Sequence, residues 1–307
     1  METVSLPSSE SVFRVLLRLF FYLLGFVVAQ MPMFLLVLLF RLMRWPAAAA
    51  LLLGAPLYAL AVLFLTRLFR RRFDRRPWSG MAVSPFRGRL AAGGFLLGAA
   101  MMASVFALEA ASGWLRLTGF RHGLAVRPGV LAELAAVFVL FAAVGFTEEL
   151  AMRGYFLQNL GERFPVWIAT IAAGVVFGAL HFTYDDFGIA FVASAVVLTA
   201  FLTASRLLTG SLWLAIGWHA GWDWLQTAVL GIREIEVLPS GGAFLAVERH
   251  GPPLFVGRGA ALEAGLLSIF VELAGLVAIL LLARRRGGIR WGSRLTPAGT
   301  PSGSDQP

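Results

Sequence analysis

The sequence predicts an all-α, polytopic membrane protein with about eight transmembrane helices. Three observations lead to this fold class. The 307 residues are 59% hydrophobic and only 14% charged, whereas a soluble domain carries roughly 25% charged residues. The hydrophobic residues are gathered into stretches of about 20, which is the length that spans a bilayer. The basic residues stand between these stretches. This composition excludes a water-soluble domain and a disordered chain.

The predicted helices follow one another along the whole chain. They cover residues 19–40, 46–66, 90–108, 129–152, 165–183, 188–206, 211–230 and 262–283. They divide the chain into an N-terminal segment (1–18), three helices with an outer loop (19–128), a core of helices four to seven (129–230), a second outer loop (231–261), helix eight (262–283) and a tail (284–307). The tail is rich in Gly, Ser and Pro, and we expect it to be disordered.

The basic residues predict the orientation in the membrane. All 26 are Arg, and the strongest clusters follow the second and eighth helices, at 67–76 and 284–286. An even number of helices puts both clusters on one side with both termini, and the positive-inside rule makes that side the cytoplasm. Arg206 is counted as a cytoplasmic charge on the same basis. Topology and contact with the lipid bilayer explain these residues, so we expect no nucleic-acid partner.

Two further features of the composition bear on location and chemistry. The complete use of Arg in place of Lys is typical of a GC-rich genome, which favours a bacterial inner membrane. The chain has no Cys, which excludes disulfides, thiolate metal ligands and a cysteine nucleophile.

Seven polar and aromatic residues inside the predicted helices form three groups. They are Glu148, Glu149 and Arg153 on the fourth helix, Phe177 and His181 on the fifth, and His219 and Asp223 on the seventh. A charged residue near the centre of a membrane helix costs at least ~2.5 kcal/mol and is by default a functional candidate.

The spacing within the groups predicts how the side chains are divided. Residues four apart share a helix face, whereas Glu148 and Glu149 point about 100° apart. We therefore expect one carboxylate to face a cavity and the other to pair with Arg153. Measured from the predicted cytoplasmic ends at 1.5 Å per residue, Glu148, His181 and His219 lie about 18, 24 and 12 Å deep. The sequence thus predicts one layer of polar residues around an intramembrane cavity open to the cytoplasm.

This combination of side chains suits amide hydrolysis. A buried carboxylate beside a histidine can deprotonate a water molecule, and a second histidine with a polar neighbour can stabilise an oxyanion. The set Glu148, His181, His219 and Asp223 could instead bind a divalent metal such as zinc. Both alternatives remain open on the residues alone.

The three groups, taken in order, resemble the motifs of one protein family. Glu148 to Arg153 reads E-E-x-x-x-R, Phe177 to His181 reads F-x-x-x-H, and His219 to Asp223 reads H-x-x-x-D. These are similar to the motifs of the CPBP family of intramembrane proteases, the CAAX prenyl endopeptidase and bacteriocin-processing (Abi) group. The resemblance covers about 129–230, which it implies is the catalytic core of an intramembrane endopeptidase.

The resemblance also implies a role for each residue. Glu148 would be the general base acting with His181, and His219 with Asp223 would form the oxyanion site. Glu149 and Arg153 would support the site or bind the substrate. Prenyl-processing members typically have Asn where this chain has Asp223. An ionised Asp cannot donate a hydrogen bond, so Asp223 suits a metal-ligand or histidine-orienting role better. Metal-free and metal-dependent mechanisms therefore both stay open.

The expected substrate is a membrane-associated peptide or protein, of the CAAX type or the bacteriocin-leader type. Two other classes of function remain open. A catalytically silent scaffold or immunity protein would retain the same residues. A proton-coupled transporter would use them as a relay, although it would tend to show inverted repeats and broken helices, and the sequence shows neither.

Four smaller predictions concern residues outside these groups. Glu272 is expected to make a polar contact with another helix. Asp185 and Asp186 are expected to lie in a turn. The Gly94–Gly98 and Gly174–Gly178 pairs have the spacing of close helix packing, which we expect to be within the molecule.

Overall fold

The computed structural model describes residues 11–121, 128–182, 188–232, 235, 238, 243–257 and 262–295. The predicted turn at Asp185 and Asp186 lies outside these residues, as do the first ten residues, much of the loop 231–261 and the end of the tail.

Helices make up most of the described chain, as the sequence predicts. The helices of the first half are α1 (Val12–Val28), α2 (Met31–Leu42), α3 (Ala47–Leu68), α4 (Gly88–Ala111) and α5 (Pro128–Glu149). Those of the second half are α6 (Leu157–Gly161), α7 (Val166–Ala179), α8 (Ile189–Thr209), α9 (Trp213–Trp224), α10 (Pro253–Val256) and α11 (Leu266–Arg284). Wider π-helical turns extend α3, α5 and α9, at Phe69–Phe73, Leu150–Phe156 and Leu225–Val229. Short 3₁₀ turns lie at Trp78–Met81 and Leu262–Ala264.

In the described part of the chain, six helices are long and apolar enough to cross a membrane. They are Val12–Leu42, Ala47–Phe73, Gly88–Ala111, Gly129–Gly161, Ile189–Thr209 and Leu266–Arg284. The fifth and seventh predicted stretches are also helical but shorter, since α7 has 14 residues and α9 has 12. The all-α membrane fold is therefore confirmed, and the count of eight spanning helices stays a prediction.

The first predicted stretch differs from a single straight helix. It is divided into α1 and α2 by a turn at Ala29 and Gln30, with a proline in the first turn of α2. Proline is favoured at this position because it has no N–H to leave unpaired. Both helices expose large apolar side chains, such as Phe13 (71%) and Leu35 (63%), which suits contact with lipid.

Small residues allow the helices that carry the polar groups to pack closely. Gly94 and Gly98 of α4 lie against the backbone of α9, at Leu214 and Trp218. In return, Gly217 and Gly221 of α9 lie against the backbone of α4, and a Cβ atom at any of the four would collide with backbone atoms. The two interlocked glycine pairs fix α9 at one height and rotation against α4.

The other glycine pair also packs within the molecule. Gly174 and Gly178 of α7 lie against Val196 and Val192 of α8. Nearby, the Ser194 hydroxyl donates a hydrogen bond of 3.1 Å to Glu272 of α11, and both side chains are buried. The expected interhelical contact of Glu272 is therefore present.

A two-stranded antiparallel ribbon joins the two predicted outer loops, which the sequence analysis did not anticipate. It pairs β1 (Leu115–Phe120) with β2 (Leu245–Arg249). The ribbon is held to the helices by Arg249, whose guanidinium makes two hydrogen bonds of 2.9 Å with the buried Glu109 at the end of α4.

Candidate active site

The predicted site residues surround one cavity of about 350 Å³ between α5, α7, α8 and α9. Five of the predicted residues line it, namely Glu148, Phe177, His181, His219 and Asp223. Apolar walls from Leu140, Phe141, Val144 and Leu198 enclose the polar group. The three helices therefore bring the three motifs together, as the depth argument expects.

The two adjacent glutamates are divided as their angular separation predicts. Glu149 points away from the cavity and forms an ion pair of 2.9 Å with Arg153, and both side chains are fully buried. Glu148 lies on the cavity wall, where its side chain keeps 19% exposure. One carboxylate is thus countered inside the bundle, and the other remains accessible to a ligand.

His219 is the centre of the polar group. Its Nδ1 lies 3.1 Å from Glu149 Oε1. Its Nε2 faces two further carboxylates, 3.5 Å from Glu148 Oε2 and 3.6 Å from Asp223 Oδ2. Because Nδ1 is held by Glu149, Nε2 is the ring nitrogen that faces the accessible carboxylates.

Phe177 connects the second motif to the other two. The backbone carbonyl of Phe177 is 2.8 Å from His181 Nδ1. A carbonyl only accepts hydrogen bonds, so Nδ1 of His181 carries the proton and Nε2 is the basic nitrogen. The Phe177 ring also lies 4.6 Å from the Arg153 guanidinium and 6.3 Å from the His219 ring, measured between centres. Phe177 therefore sets the positions of both histidines relative to Arg153.

Three polar residues behind the cavity were missed as site residues. Arg153 donates a hydrogen bond of 2.8 Å to Thr199. Arg206 donates to the backbone carbonyl of Arg153 and, at 2.6 Å, to Gln158. Arg206 is only 6% exposed, so it is a buried structural cation as well as a charge near the end of α8. The signal was the seven-residue spacing of Thr199 and Arg206, which places both on one face of an apolar helix.

The π-helical turn after Glu149 explains why Arg206 is needed there. In this turn the N–H of Leu157 bonds to the carbonyl of Met152. In an α-helix it would bond to Arg153. The carbonyl of Arg153 is thereby released from its usual partner and accepts from Arg206. Such turns are frequent at functional sites, and this one lies directly after the two glutamates.

The polar group is compatible with both a metal-free and a metal-dependent mechanism. Within the described residues, no group of three or more His, Asp or Glu side chains is gathered as a metal site. His219 Nε2 is nevertheless 3.5 Å from Glu148 Oε2 and 3.6 Å from Asp223 Oδ2, and two ligands of one tetrahedral zinc ion lie roughly 3.4 Å apart. The mechanism proposed below uses side chains and water, and its test includes a chelator.

The cavity spans the middle of the long helix formed by α5 and α6. Its lining residues on this helix run from Leu140 to Glu148, on either side of the midpoint of Pro128–Gly161. Ile235 of the second outer loop and Glu263, which follows that loop, complete the lining. A cavity open to the cytoplasm stays a prediction.

The comparisons with known proteins agree with the motifs. Residues 130–225 match the family model for type II CAAX prenyl endopeptidases, described as Rce1-like. No curated protein and no solved structure matches the chain. The matched segment runs from the start of α5 to the end of α9 and contains all three motifs. The match over this segment therefore supports the resemblance to the CPBP family of CAAX-type membrane proteases.

Proposed function

We propose that the protein is an intramembrane endopeptidase in which Glu148 and His181 activate water to hydrolyse a peptide bond. The observation that carries this proposal is the division of the two glutamates. Glu149 is paired with Arg153 and His219, whereas Glu148 lines the cavity together with both histidines. A general base must be within reach of the water that it deprotonates, directly or through one water.

The reaction would proceed in two proton transfers. A water molecule in the cavity loses a proton to the carboxylate of Glu148 while His181 Nε2 orients it, and the hydroxide attacks the substrate carbonyl carbon. The oxyanion that forms is stabilised by a hydrogen bond from Nε2 of His219. The ring is protonated on both nitrogens in this step, because Nδ1 already donates to the Glu149 carboxylate. Asp223 supports the charged ring. Glu148 then gives the proton to the leaving amine, and the C–N bond breaks.

The residues behind the cavity would position this machinery. Glu149 holds Nδ1 of His219, which orients the imidazole with Nε2 toward the cavity. Arg153 holds Glu149 and is itself held by Thr199 and the ring of Phe177. This chain of contacts fixes the position of His219, the proposed hydrogen-bond donor to the oxyanion. A donor stabilises an oxyanion most when its position is fixed before the reaction.

The test is cleavage by the purified protein in detergent. The substrates are a peptide library from membrane proteins and a prenylated CAAX peptide, each with and without a chelator. Glu148→Gln and His219→Ala should abolish cleavage. The matched control is Glu248→Gln on β2, whose side chain is 57% exposed and outside the cavity.

Each outcome assigns the protein to one class. Cleavage that is lost in both site variants and kept in the control supports the protease, and chelator sensitivity would require a metal after all. No cleavage by a well-folded parent protein would contradict the proposal and favour a silent scaffold or a transporter.

A further inference from the structure

We propose that a groove between α1 and the π-helical turn after α3 binds one anionic phospholipid, whose phosphate meets two arginines and whose acyl chain lies against aromatic side chains. This α1 groove has a volume of about 540 Å³ and is lined by Arg14, Leu17, Arg18, Phe21, Phe69 and Phe73. Sites for small ligands usually enclose about 300–1,000 Å³. The α1 groove shares no lining residue with the candidate active site, and the proposal does not rest on the endopeptidase activity.

The two walls of the α1 groove run antiparallel, so their charged ends coincide. The hydroxyl groups of Tyr22 on α1 and Thr66 on α3 share a hydrogen bond of 2.8 Å. Nearer the end of the bundle, Arg18 Nε lies 2.8 Å from Asp74 Oδ1. The Arg cluster at 67–76 therefore stands beside the start of α1. Because arginines gather where membrane helices leave the hydrocarbon, the mouth of the groove lies at the depth of the lipid headgroups.

The polarity of the α1 groove changes with depth as the polarity of a phospholipid does. Arg14 is in the first turns of α1, at the mouth. Phe21 lies seven residues further along the same helix face, about 10 Å deeper at 1.5 Å per residue. Phe69 faces it from the end of α3, and its ring is 4.7 Å from that of Phe73, measured between centres. The groove is therefore charged at its mouth and aromatic at its base.

The two arginines are placed to hold one phosphate. Arg14 and Arg18 are four residues apart, so they share a helix face. Arg14 is exposed, whereas the guanidinium of Arg18 is held by Asp74 and donates a hydrogen bond of 3.0 Å to Asn159 Oδ1. Guanidinium groups make short, charge-assisted hydrogen bonds to phosphate oxygens. One arginine is thus fixed at the wall, and the other can reach the same headgroup from the mouth.

The charge around the α1 groove favours an anionic headgroup over a zwitterionic one. Residues 67–76 contain six Arg and one acidic residue, Asp74. The Asp74 carboxylate is already bonded by Arg18, Arg70 and Tyr155. Among the described lining residues, those that carry charge are both Arg. The ammonium group of a zwitterionic lipid would therefore meet no carboxylate on the groove wall, whereas added negative charge meets cations.

The apolar part of the α1 groove needs an occupant at the depth of the acyl chains. Leu17, Phe21 and Phe73 are all exposed, while Phe69 at the base is buried. In a bilayer this surface faces the acyl-chain region, because α1 belongs to the first membrane-spanning stretch. A phospholipid can satisfy both ends of the groove at once, since its phosphate and its chain are joined in one molecule.

The test is lipid binding to the full-length protein, delipidated in a neutral detergent and measured by native mass spectrometry. The probes are dioleoyl phosphatidylglycerol, dioleoyl phosphatidylcholine with the same chains, and glycerol phosphate without chains. We expect phosphatidylglycerol to bind about tenfold more tightly than phosphatidylcholine, because two arginines meet its charge. Equal binding of the two lipids would overturn the proposal. Displacement of phosphatidylglycerol by glycerol phosphate would also overturn it, in favour of a site for free phosphate.

Two matched variants separate the α1 groove from general attraction to the Arg-rich surface. Arg14→Gln removes one charge at the mouth, and Arg71→Gln removes one exposed charge at the same end but outside the lining. Arg14→Gln should weaken phosphatidylglycerol binding about fivefold, and Arg71→Gln should leave it near that of the parent. Equal weakening by both variants would overturn a defined site. Both residues are exposed, so both variants should fold.

The apolar wall is tested with Phe73→Ala, which removes an exposed ring from the groove. Binding of phosphatidylglycerol and phosphatidylcholine should weaken by the same factor, because the two lipids share their chains. Unchanged binding would place the lipid outside the α1 groove and overturn the proposal. A protein dimer that forms in place of the lipid complex, and that Phe73→Ala dissociates, would show that a second copy of the chain occupies the groove instead.

Discussion

Two buried clusters of charge lie in the same bundle, and their charge balance is opposite. Around Asp74, one carboxylate meets two cations, with Arg18 Nε at 2.8 Å and Arg70 Nη1 at 3.2 Å. Tyr155 donates a further hydrogen bond of 2.9 Å to it. Around His219, one imidazole meets three carboxylates, and Arg153 pairs with one of them, Glu149.

The difference separates a structural role from a chemical one. A buried carboxylate surrounded by cations and donors stabilises the fold only while every partner is present. The carboxylates near His219 instead gather around one imidazole, and two of them line a cavity. Ionisable groups that interact closely in a cleft are typical of functional sites. The Asp74 cluster should therefore respond to mutation through stability, and the His219 cluster through activity.

The largest expected effect is on catalysis, from Glu148→Gln. We expect the rate of peptide cleavage to fall by roughly 10²–10⁴, because Glu148 is the proposed general base. The melting temperature in detergent should stay close to that of the parent, since Glu148 makes no fully buried ion pair. The measurement is kcat/KM beside a melting curve. A variant that keeps its activity within tenfold of the parent would contradict the chemical role assigned to the His219 cluster.

The opposite pattern is expected for Asp74→Ala. Removing the carboxylate takes away the partner that Arg18 and Arg70 share and leaves Arg70 with the longer contact of 3.8 Å to Glu162, which should cost about 3–5 kcal/mol of unfolding free energy. The cleavage rate per folded molecule should remain near that of the parent. Thermal unfolding and active-fraction measurements check both statements. A stable Asp74→Ala protein with little activity would show that the clusters are coupled.

Gly94→Ala should affect both properties at once, because α9 carries His219 and depends on α4 for its position. A methyl group at Gly94 collides with the backbone of Leu214, and overpacking of this kind costs about 1–3 kcal/mol. The matched control is Gly93→Ala, whose added Cβ meets no atom within 4 Å. Melting curves and cleavage rates of the pair should therefore differ. Equal behaviour would show that the interlocked glycines do not position the site.

The smallest effect is expected for Asp223→Asn. An asparagine can donate a hydrogen bond to an oxyanion, which an ionised aspartate cannot, so cleavage should stay within about tenfold of the parent. The measurement is kcat/KM with and without chelator. A loss of more than a hundredfold, together with inhibition by chelator, would instead make Asp223 a metal ligand.

The sequence predicts the membrane fold and the meeting of the three motifs, because both depend on local periodicity. Residues four apart share a helix face whatever the tertiary structure. The pairing of Glu149 with Arg153 and the separate, cavity-facing direction of Glu148 therefore follow from spacing. Spacing places Arg206 on the same helix face as Thr199, but it does not predict the partner of Arg206. That partner is a backbone carbonyl released by a π-helical turn, which no residue pattern in the turn indicates.

Two of the cavity-lining residues also could not be predicted from spacing. Ile235 lies in the second predicted outer loop and Glu263 at the start of the eighth predicted helix, and neither shares a helix with one of the three motifs. The ribbon between the two outer loops is another case, since its pairing joins residues more than 120 positions apart. Such long-range contacts leave no regular pattern in the sequence.

The π-helical segment Leu150–Phe156 has a consequence for how the two clusters can evolve. In an uninterrupted α-helix, residues eleven positions apart return to within about 20° of the same face. Glu148 and Asn159 are so spaced, yet Glu148 faces the cavity while Asn159 contacts Arg18 and Asp74. The wider turns between them therefore rotate the helix faces after the segment relative to those before it. Deletion of a single residue from this segment would rotate one cluster out of alignment while the other stays in place, so the length of the segment is under tighter constraint than its composition.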